Sequence, residues 1–148
     1  MTQKQKELFI KDLCARLPYD LIVQETFQNA QRDVSVWDCG PYYIKGHPEK
    51  VKPYLRSMKS MTEEEARKIA ELSGFLAGSE NILSISVKEE FIDIKIDDGV
   101  CSTETRTLWF TEMPTSIALF DYLNAHHFDY RGLIPMGIAL EAPENMYK

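Results

Sequence analysis

Hydrophobic positions recur with α-helical spacing in three stretches of the chain. The first is residues 3–17, which Pro18 ends because the residue before a proline avoids the helical conformation. The second begins after Thr62, which with Glu65 three residues later predicts a capping box. The third runs from about Thr115 to His126. The predicted inward residues are Ile10, Leu13, Cys14 and Leu17 in the first helix, Ala66, Ile69, Ala70, Ser73, Leu76 and Ala77 in the second, with Gly78 as its terminator, and Ile117, Phe120 and Leu123 in the third.

Apolar and polar residues alternate strictly in two later stretches, Leu83–Val87 and Ile92–Asp97. This period predicts two antiparallel strands with one face open to water. Lys88–Glu90 would connect them, and Asp98–Gly99 would turn the chain into a further strand at about 103–110.

The first half of the chain has weaker patterns. Residues 21–27 and 34–37 predict the two strands of a hairpin. Tyr42–Lys45 predicts a short strand, and Val51–Met58 predicts a short helix or an extended connection. The whole pattern predicts an α+β fold for residues 1–148, a single domain with one mainly antiparallel sheet of about five or six strands and three helices.

Composition narrows the class of protein. Three cysteines at wide spacing predict neither a disulfide framework nor a zinc ribbon, and charged residues near the start interrupt any signal peptide. No apolar stretch approaches the length of a membrane span. We therefore expect a cytoplasmic protein that does not enter a membrane. The net charge of −6 argues against nucleic acid as a partner.

The charge is nevertheless uneven, because the stretch from Lys45 to Met61 has Glu49 as its one acidic residue. Tyrosines lie among the basic residues, and such a pattern can hold phosphates while aromatic rings stack on bases. A solvated loop explains the same pattern. The candidate phosphate-binding residues are Lys45, Lys50, Lys52, Arg56 and Lys59.

The most suggestive segment for chemistry is His126–Arg131. Imidazole and carboxylate groups are metal ligands, but adjacent histidines in a helix point about 100° apart and a zinc site needs three or four ligands. A helix end followed by a turn that Asp129 caps fits the spacing better. We therefore predict no metal site and no cofactor. The candidate interaction or ligand cluster is His126, His127, Asp129, Tyr130 and Arg131, and the last two would anchor a partner if exposed.

Cys39 is the candidate nucleophile, since Asp38-Cys39-Gly40 is superficially similar to the cysteine site of small peptidases and amidases. That chemistry needs a thiolate. The following residues, Pro41–Ile44, predict a turn and a strand instead of an activating helix.

Three segments carry a resemblance. They are Lys6–Tyr19, Lys52–Met58 with Ser60–Glu65, and Asn124–Ile134 continued by Ala139–Glu144. Together they resemble a group of small, uncharacterised proteins of Bacteroides-type gut bacteria and of their phages or prophages. The resemblance implies a phage or mobile-element setting and transfers no activity or site. Asp20 departs from the group, which often has glycine after the tyrosine.

The sequence thus favours a non-enzymatic interaction or accessory protein of phage or mobile-element origin. Its partner would be a host or phage protein, and a homo-oligomer is compatible with the pattern. Two alternatives stay open. One is a small enzyme that uses Cys39 or the pair His126 and His127, and the other is a nucleic-acid binder through the Lys45–Lys59 stretch.

Overall fold

A computed structural model describes residues 1–76, 80–97, 99, 102–114 and 116–147. The chain divides into two compact units. Unit 1 comprises Met1–Ser57 and Leu123–Lys148, and unit 2 comprises Met58–Tyr122. That the two fold as one cooperative domain stays a prediction.

The helices and strands are numbered along the chain. The helices are α1 (Gln3–Arg16), α2 (Val36–Cys39), α3 (Pro41–Gly46), α4 (Glu63–Leu72) and α5 (Ile117–Ala125). The strands are β1 (Ile22–Phe27), β2 (Ala30–Ser35), β3 (Val51–Leu55), β4 (Asn81–Val87), β5 (Phe91–Asp97), β6 (Thr103–Trp109) and β7 (Leu140–Glu141).

The predicted α+β class is confirmed, but its details were wrong. The described residues form two sheets, with strand orders β2-β1-β3-β7 and β4-β5-β6, and five α-helices. The extra elements are short: α2 has four residues, α3 six and β7 two. A periodic pattern needs a longer window to become visible. In the described ranges, no helix is both long and apolar enough to cross a bilayer.

Unit 1 contains a hairpin of β1 and β2, as predicted, but the second strand is Ala30–Ser35 and not residues 34–37, so that part of the prediction was wrong. The two turn residues, Gln28 and Asn29, have φ values of 47° and 65°. Two left-handed residues match the twist of the flanking strands, as in type I′ turns. Val36 and Trp37, expected to continue the second strand, instead begin α2, where the Ser35 hydroxyl accepts a hydrogen bond from the Trp37 N–H.

The next stretch departs from the strand predicted for Tyr42–Lys45, and for Val51–Met58 it agrees with the extended alternative and not with the helix. Tyr42–Lys45 lies in α3, because Gly40 at φ 80° redirects the chain and Pro41 suits the first turn of a helix. Val51–Leu55 is strand β3, which pairs with β1 and β7. Pro53 argued against a strand in the sequence, because proline is rare inside a sheet.

The first helix is present, but its buried face differs from the predicted one. Phe9, Asp12, Leu13 and Arg16 are buried, whereas Cys14 is exposed. A prediction based on hydrophobic residues alone leaves out the buried Asp12 and Arg16. It therefore assigned the wrong face of the helix to the core. The core of unit 1 comprises Phe9, Leu13, Leu21, Val23, Val36, Cys39, Ile44, Val51, Leu55, Leu133, Ile138 and Ala139.

In unit 2, α4 has the predicted capping box. The Thr62 hydroxyl accepts from the Glu65 N–H at 3.2 Å, and the Glu65 carboxylate accepts from the Thr62 N–H at 2.7 Å. The helix ends at Leu72, and Gly74 at φ 71° follows it. Of the predicted inward residues, Ala66, Ile69, Ala70 and Leu76 are buried, while Ala77 and the predicted terminator Gly78 lie outside the described residues.

The two alternating stretches are confirmed as the antiparallel strands β4 and β5. Ile92, Ile94 and Ile96 are buried on one face. A bulge between Ile82 and Ser84 shifts the register of β4, so Leu83 is 52% exposed. The strand β6 follows as predicted, and Asp98 of the predicted turn lies outside the described residues.

The last helix, α5, begins at Ile117, where the Ser116 hydroxyl accepts from the Leu119 N–H at 3.1 Å. Its buried residues include Leu119 and Leu123. The prediction that Ile117 points inward was wrong, since it is 83% exposed. Thr115, the predicted start, lies outside the described residues.

Candidate functional site

The segment His126–Arg131 lies where α5 ends, as predicted. His127 has φ 56°, a left-handed conformation that stops the helix. Its N–H donates to the Asn124 carbonyl, and the Phe128 N–H donates to the Leu123 carbonyl. These bonds satisfy carbonyl groups of the last turn.

Asp129 caps the turn that follows, also as predicted. Its two carboxylate oxygens accept hydrogen bonds from the Leu133 N–H at 2.8 Å and the Ile134 N–H at 2.7 Å. Burial raises the pKa of Asp129, although both hydrogen bonds act in the opposite direction. With both oxygens engaged by backbone donors, the carboxylate organises the loop.

Two charges missed by the sequence analysis lie under this segment. Asp12 and Arg16 are fully buried on α1 and form a bidentate pair, with the Arg16 Nε–H at 2.7 Å and an Nη–H at 3.1 Å from the Asp12 oxygens. The same guanidinium donates to the Phe128 carbonyl at 2.8 Å. Arg131 donates to Asp12 at 3.0 Å. An acid and a base four residues apart on a helix are the signal that could have revealed this pair.

Tyr130 and Arg131 both contact the buried pair of Asp12 and Arg16. The guanidinium carbon of Arg131 is 4.8 Å, and that of Arg16 5.6 Å, from the centre of the Tyr130 ring. The Tyr130 hydroxyl donates to Asn124 at 3.1 Å. Only 19% of the Arg131 side chain is exposed. The geometry therefore favours a structural role for this pair over a partner's anchor.

His127 is buried, and its ring centre is 3.9 Å from that of Tyr147. Burial, and secondarily the charge of Arg16, lowers the pKa of His127 to about 4, despite a backbone hydrogen bond with Tyr19. The ring is therefore neutral at pH 7. His126 stacks beside Phe128 at 6.3 Å. Across the described ranges, no three histidine, cysteine or acidic residues are placed to hold a metal ion.

Cys39 is buried at the end of α2. Burial and the neighbouring Glu25 carboxylate raise the pKa of the Cys39 thiol to about 11. A thiol in this environment stays protonated at neutral pH, whereas nucleophilic catalysis needs the thiolate. The geometry gives no support to catalysis by Cys39. Cys14 is exposed, and Cys101 lies outside the described residues.

The candidate phosphate-binding residues are distributed over several elements. Lys45 lies in α3, Lys50 just before β3 and Lys52 within β3. The Arg56 guanidinium lies 4.3 Å from the centre of the Phe128 ring. Lys59 belongs to unit 2, where its ammonium group is 3.3 Å from the Glu89 carboxylate. The structure does not place all five in one unit.

The sequence predicts a half-polar sheet with one face open to water that could meet a partner, without assigning its residues. That face is the outer face of the β4-β5-β6 sheet, on the side opposite Ile92, Ile94 and Ile96. The register places Phe91 beside Trp109, with ring centres 4.7 Å apart. Trp109 is 40% exposed. We define this outer sheet face by Ser84, Ser86, Phe91, Asp93, Lys95, Asp97, Thr103, Thr105, Thr107 and Trp109.

Side-chain hydrogen bonds order the polar part of the outer sheet face. The Thr107 hydroxyl donates to Asp93 at 2.7 Å, and the Asn81 amide donates to Asp97 at 3.3 Å. Lys95 between them is exposed. The face therefore presents hydroxyl and carboxylate groups beside one aromatic pair.

The two units also differ in charge. Residues 58–122 contain 13 acidic and 6 basic residues, a net charge of −7. The rest of the chain contains 10 acidic and 11 basic residues, a net charge of +1. The acidity of the protein thus resides in unit 2.

Comparison of the chain with protein-family models, with curated proteins and with solved structures finds no significant match.

Proposed function

We propose that this is a cytoplasmic, non-enzymatic interaction protein of phage or mobile-element origin, and that it binds a basic region of a host or phage protein through the outer sheet face of unit 2. The observation that carries this proposal is the pair of the half-buried Phe91 and the exposed Trp109 on a sheet face of an acidic unit.

Aromatic side chains are enriched among the residues that dominate binding energy, because they bury a large area with little loss of conformational freedom. The Trp109 ring packs against the Phe91 ring, and this contact orders Trp109 in the unbound protein. Such preorganisation lowers the entropic cost of association.

Charge specifies the kind of partner. A net charge of −7 on unit 2 attracts basic surfaces and repels phosphate backbones. Asp93 and Asp97 lie on the outer sheet face itself, where they can pair with lysine or arginine of the partner. This is why a basic protein region is favoured over nucleic acid.

Affinity capture with matched tryptophan variants tests the proposal. Trp109→Ser removes the aromatic anchor, while Trp37→Ser removes a tryptophan of unit 1 that is 57% exposed. With a Bacteroides-type lysate, we expect the wild type and Trp37→Ser to retain the same basic protein and Trp109→Ser to lose it. Because unit 2 is acidic, retention should weaken as the salt concentration rises.

Circular dichroism must show that both variants are folded before retention is compared. Equal retention by Trp109→Ser, or retention of DNA or RNA in place of a basic protein, would overturn the proposal. Loss of retention in a variant of the basic stretch, such as Lys50→Glu with Lys52→Glu, would move the binding surface to unit 1.

A further inference from the structure

The residues after β7 form a strap, residues 142–147, across the sheet of unit 1. It is fixed at one end by the Ala142 N–H, which donates to the Leu55 carbonyl at 2.8 Å. At the other end the Tyr147 side chain enters a slot between His127, Ile22 and Tyr54. The residues between the two ends, Pro143–Asn145, are exposed.

The Tyr147 hydroxyl fills a gap in the sheet. The pairing of β1 with β3 runs from Glu25 opposite Val51 to Val23 opposite Pro53, which has no N–H to donate. At the next position along, the Tyr147 hydroxyl accepts from the Ile22 N–H at 3.2 Å and donates to the Tyr54 carbonyl at 2.8 Å. At this position the Tyr147 hydroxyl bridges β1 and β3 in place of a direct backbone hydrogen bond between them.

The ring of Tyr147 is recognised as well as its hydroxyl. The imidazole of His127 lies at 31° to the phenol ring with 3.9 Å between their centres. Burial raises the pKa of Tyr147 to about 12, so the slot holds the neutral phenol. A flat wall, one donor (the Ile22 N–H) and one acceptor (the Tyr54 carbonyl) together match a phenol.

We propose that this slot is a binding site for a tyrosine side chain, which Tyr147 occupies within the chain and which a tyrosine in an extended segment of a partner occupies when the strap is displaced. The exposed middle of the strap supports displacement, because an exposed terminal segment can open locally while the rest of the unit stays folded. The slot belongs to unit 1, so this proposal is independent of the outer sheet face.

A phenol analogue tests the slot directly. In Tyr147→Ala we expect p-cresol, the isolated tyrosine side chain, to raise Tm by about 4 °C at a concentration about tenfold above its Kd. The wild type, whose slot is occupied, should respond far less. Toluene, which lacks the hydroxyl, should stabilise the variant less than p-cresol. No rise in Tm with p-cresol, or an equal rise with toluene, would overturn the proposal.

Hydrogen exchange of the wild-type protein tests displacement and decides the matter if Tyr147→Ala fails to fold. The Ile22 amide donates to Tyr147, whereas the Leu133 amide donates to Asp129. We expect Ile22 to exchange at least tenfold faster than Leu133, because strap opening frees it without unfolding the unit. Exchange of both amides at the same slow rate would mean that the strap opens only on unfolding, and would overturn the proposal.

Discussion

The two units treat their charged residues in opposite ways. Unit 1 is nearly neutral overall and buries Asp12 and Arg16 completely beneath the His126–Arg131 segment. Unit 2 is strongly acidic and carries Asp93, Lys95 and Asp97 on the outer sheet face, while Arg106 pairs with Glu80 and Glu104 elsewhere in the unit. The completely buried charges of unit 1 therefore hold the structure, and the exposed charges of unit 2 are available to a partner.

A suggestive motif in the sequence does not by itself mark a binding site. His126, His127 and Asp129 look like ligands in the sequence, but in the structure they end a helix and cap a loop. The outer sheet face has no recognisable motif, yet Trp109 and Lys95 are exposed on it, and Phe91, Asp93 and Asp97 are half-buried. Burial of a side chain, more than its motif, decides whether it can meet a partner.

The largest expected loss of stability comes from breaking the buried ion pair of Asp12 and Arg16. Asp12→Ala leaves Arg16 buried without its carboxylate, and we expect a loss of about 3–5 kcal/mol in the free energy of unfolding measured in urea. The matched change in unit 2 is Glu89→Ala, which breaks the exposed pair with Lys59 and should cost under about 1 kcal/mol. Equal losses would contradict the division between the units.

The second prediction concerns the two faces of β5. Ile94→Ala opens a cavity on the buried face and should cost about 2–4 kcal/mol. Lys95→Ala changes the adjacent residue on the outer sheet face and should alter stability by about 0.5 kcal/mol or less. Urea unfolding measures both. A large loss from Lys95→Ala would mean that the outer sheet face supports the fold.

The third prediction is a pH dependence that originates in unit 1. Because the pKa of His127 falls from 6.5 to about 4 on folding, the unfolded chain binds more protons between these values. Stability from His127 is present above pH 6.5 and is lost as the pH falls to 4, by about 3 kcal/mol.

His127→Asn removes the titration while asparagine tolerates the left-handed backbone. The raised pKa of Asp129 acts in the opposite direction but is present in both proteins. The wild type should therefore lose more stability than His127→Asn between pH 6.5 and 4. Parallel stability curves would show that His127 is not held neutral by burial.

The sequence predicted unit 2 better than unit 1, and the reason is physical. The capping box at Thr62 and the alternation of β5 depend on neighbouring residues, which a local pattern contains. The buried face of α1 depends on contacts between Asp12 and Arg131, far apart in the chain. Pro53 and the two-residue β7 also form a sheet only because distant residues meet.

The candidate sites also differ in whether neighbouring residues or distant contacts create them. The capping role of Asp129 could be predicted from its position after a helix end. The Tyr147 slot could not, because its walls come from β1, β3 and the end of α5. The outer sheet face could have been predicted, since Phe91 and Trp109 flank alternating strands whose register decides their contact.

The smallest expected effect is at the cap of α4. Thr62→Ala removes the hydroxyl that accepts from Glu65 and should cost about 1 kcal/mol. Thr62→Ser keeps that hydroxyl and should be close to the wild type. Urea unfolding separates the two variants, and equal losses would mean that the capping box contributes nothing measurable.

The most direct test of the central claim is hydrogen exchange of the protein with and without the partner that affinity capture retains. The claim is that the outer sheet face binds and the His126–Arg131 segment holds the fold. It predicts new protection in residues 91–97 and 103–109 and unchanged exchange in residues 126–134. Protection confined to residues 126–134 would contradict it and return the binding role to the histidine segment.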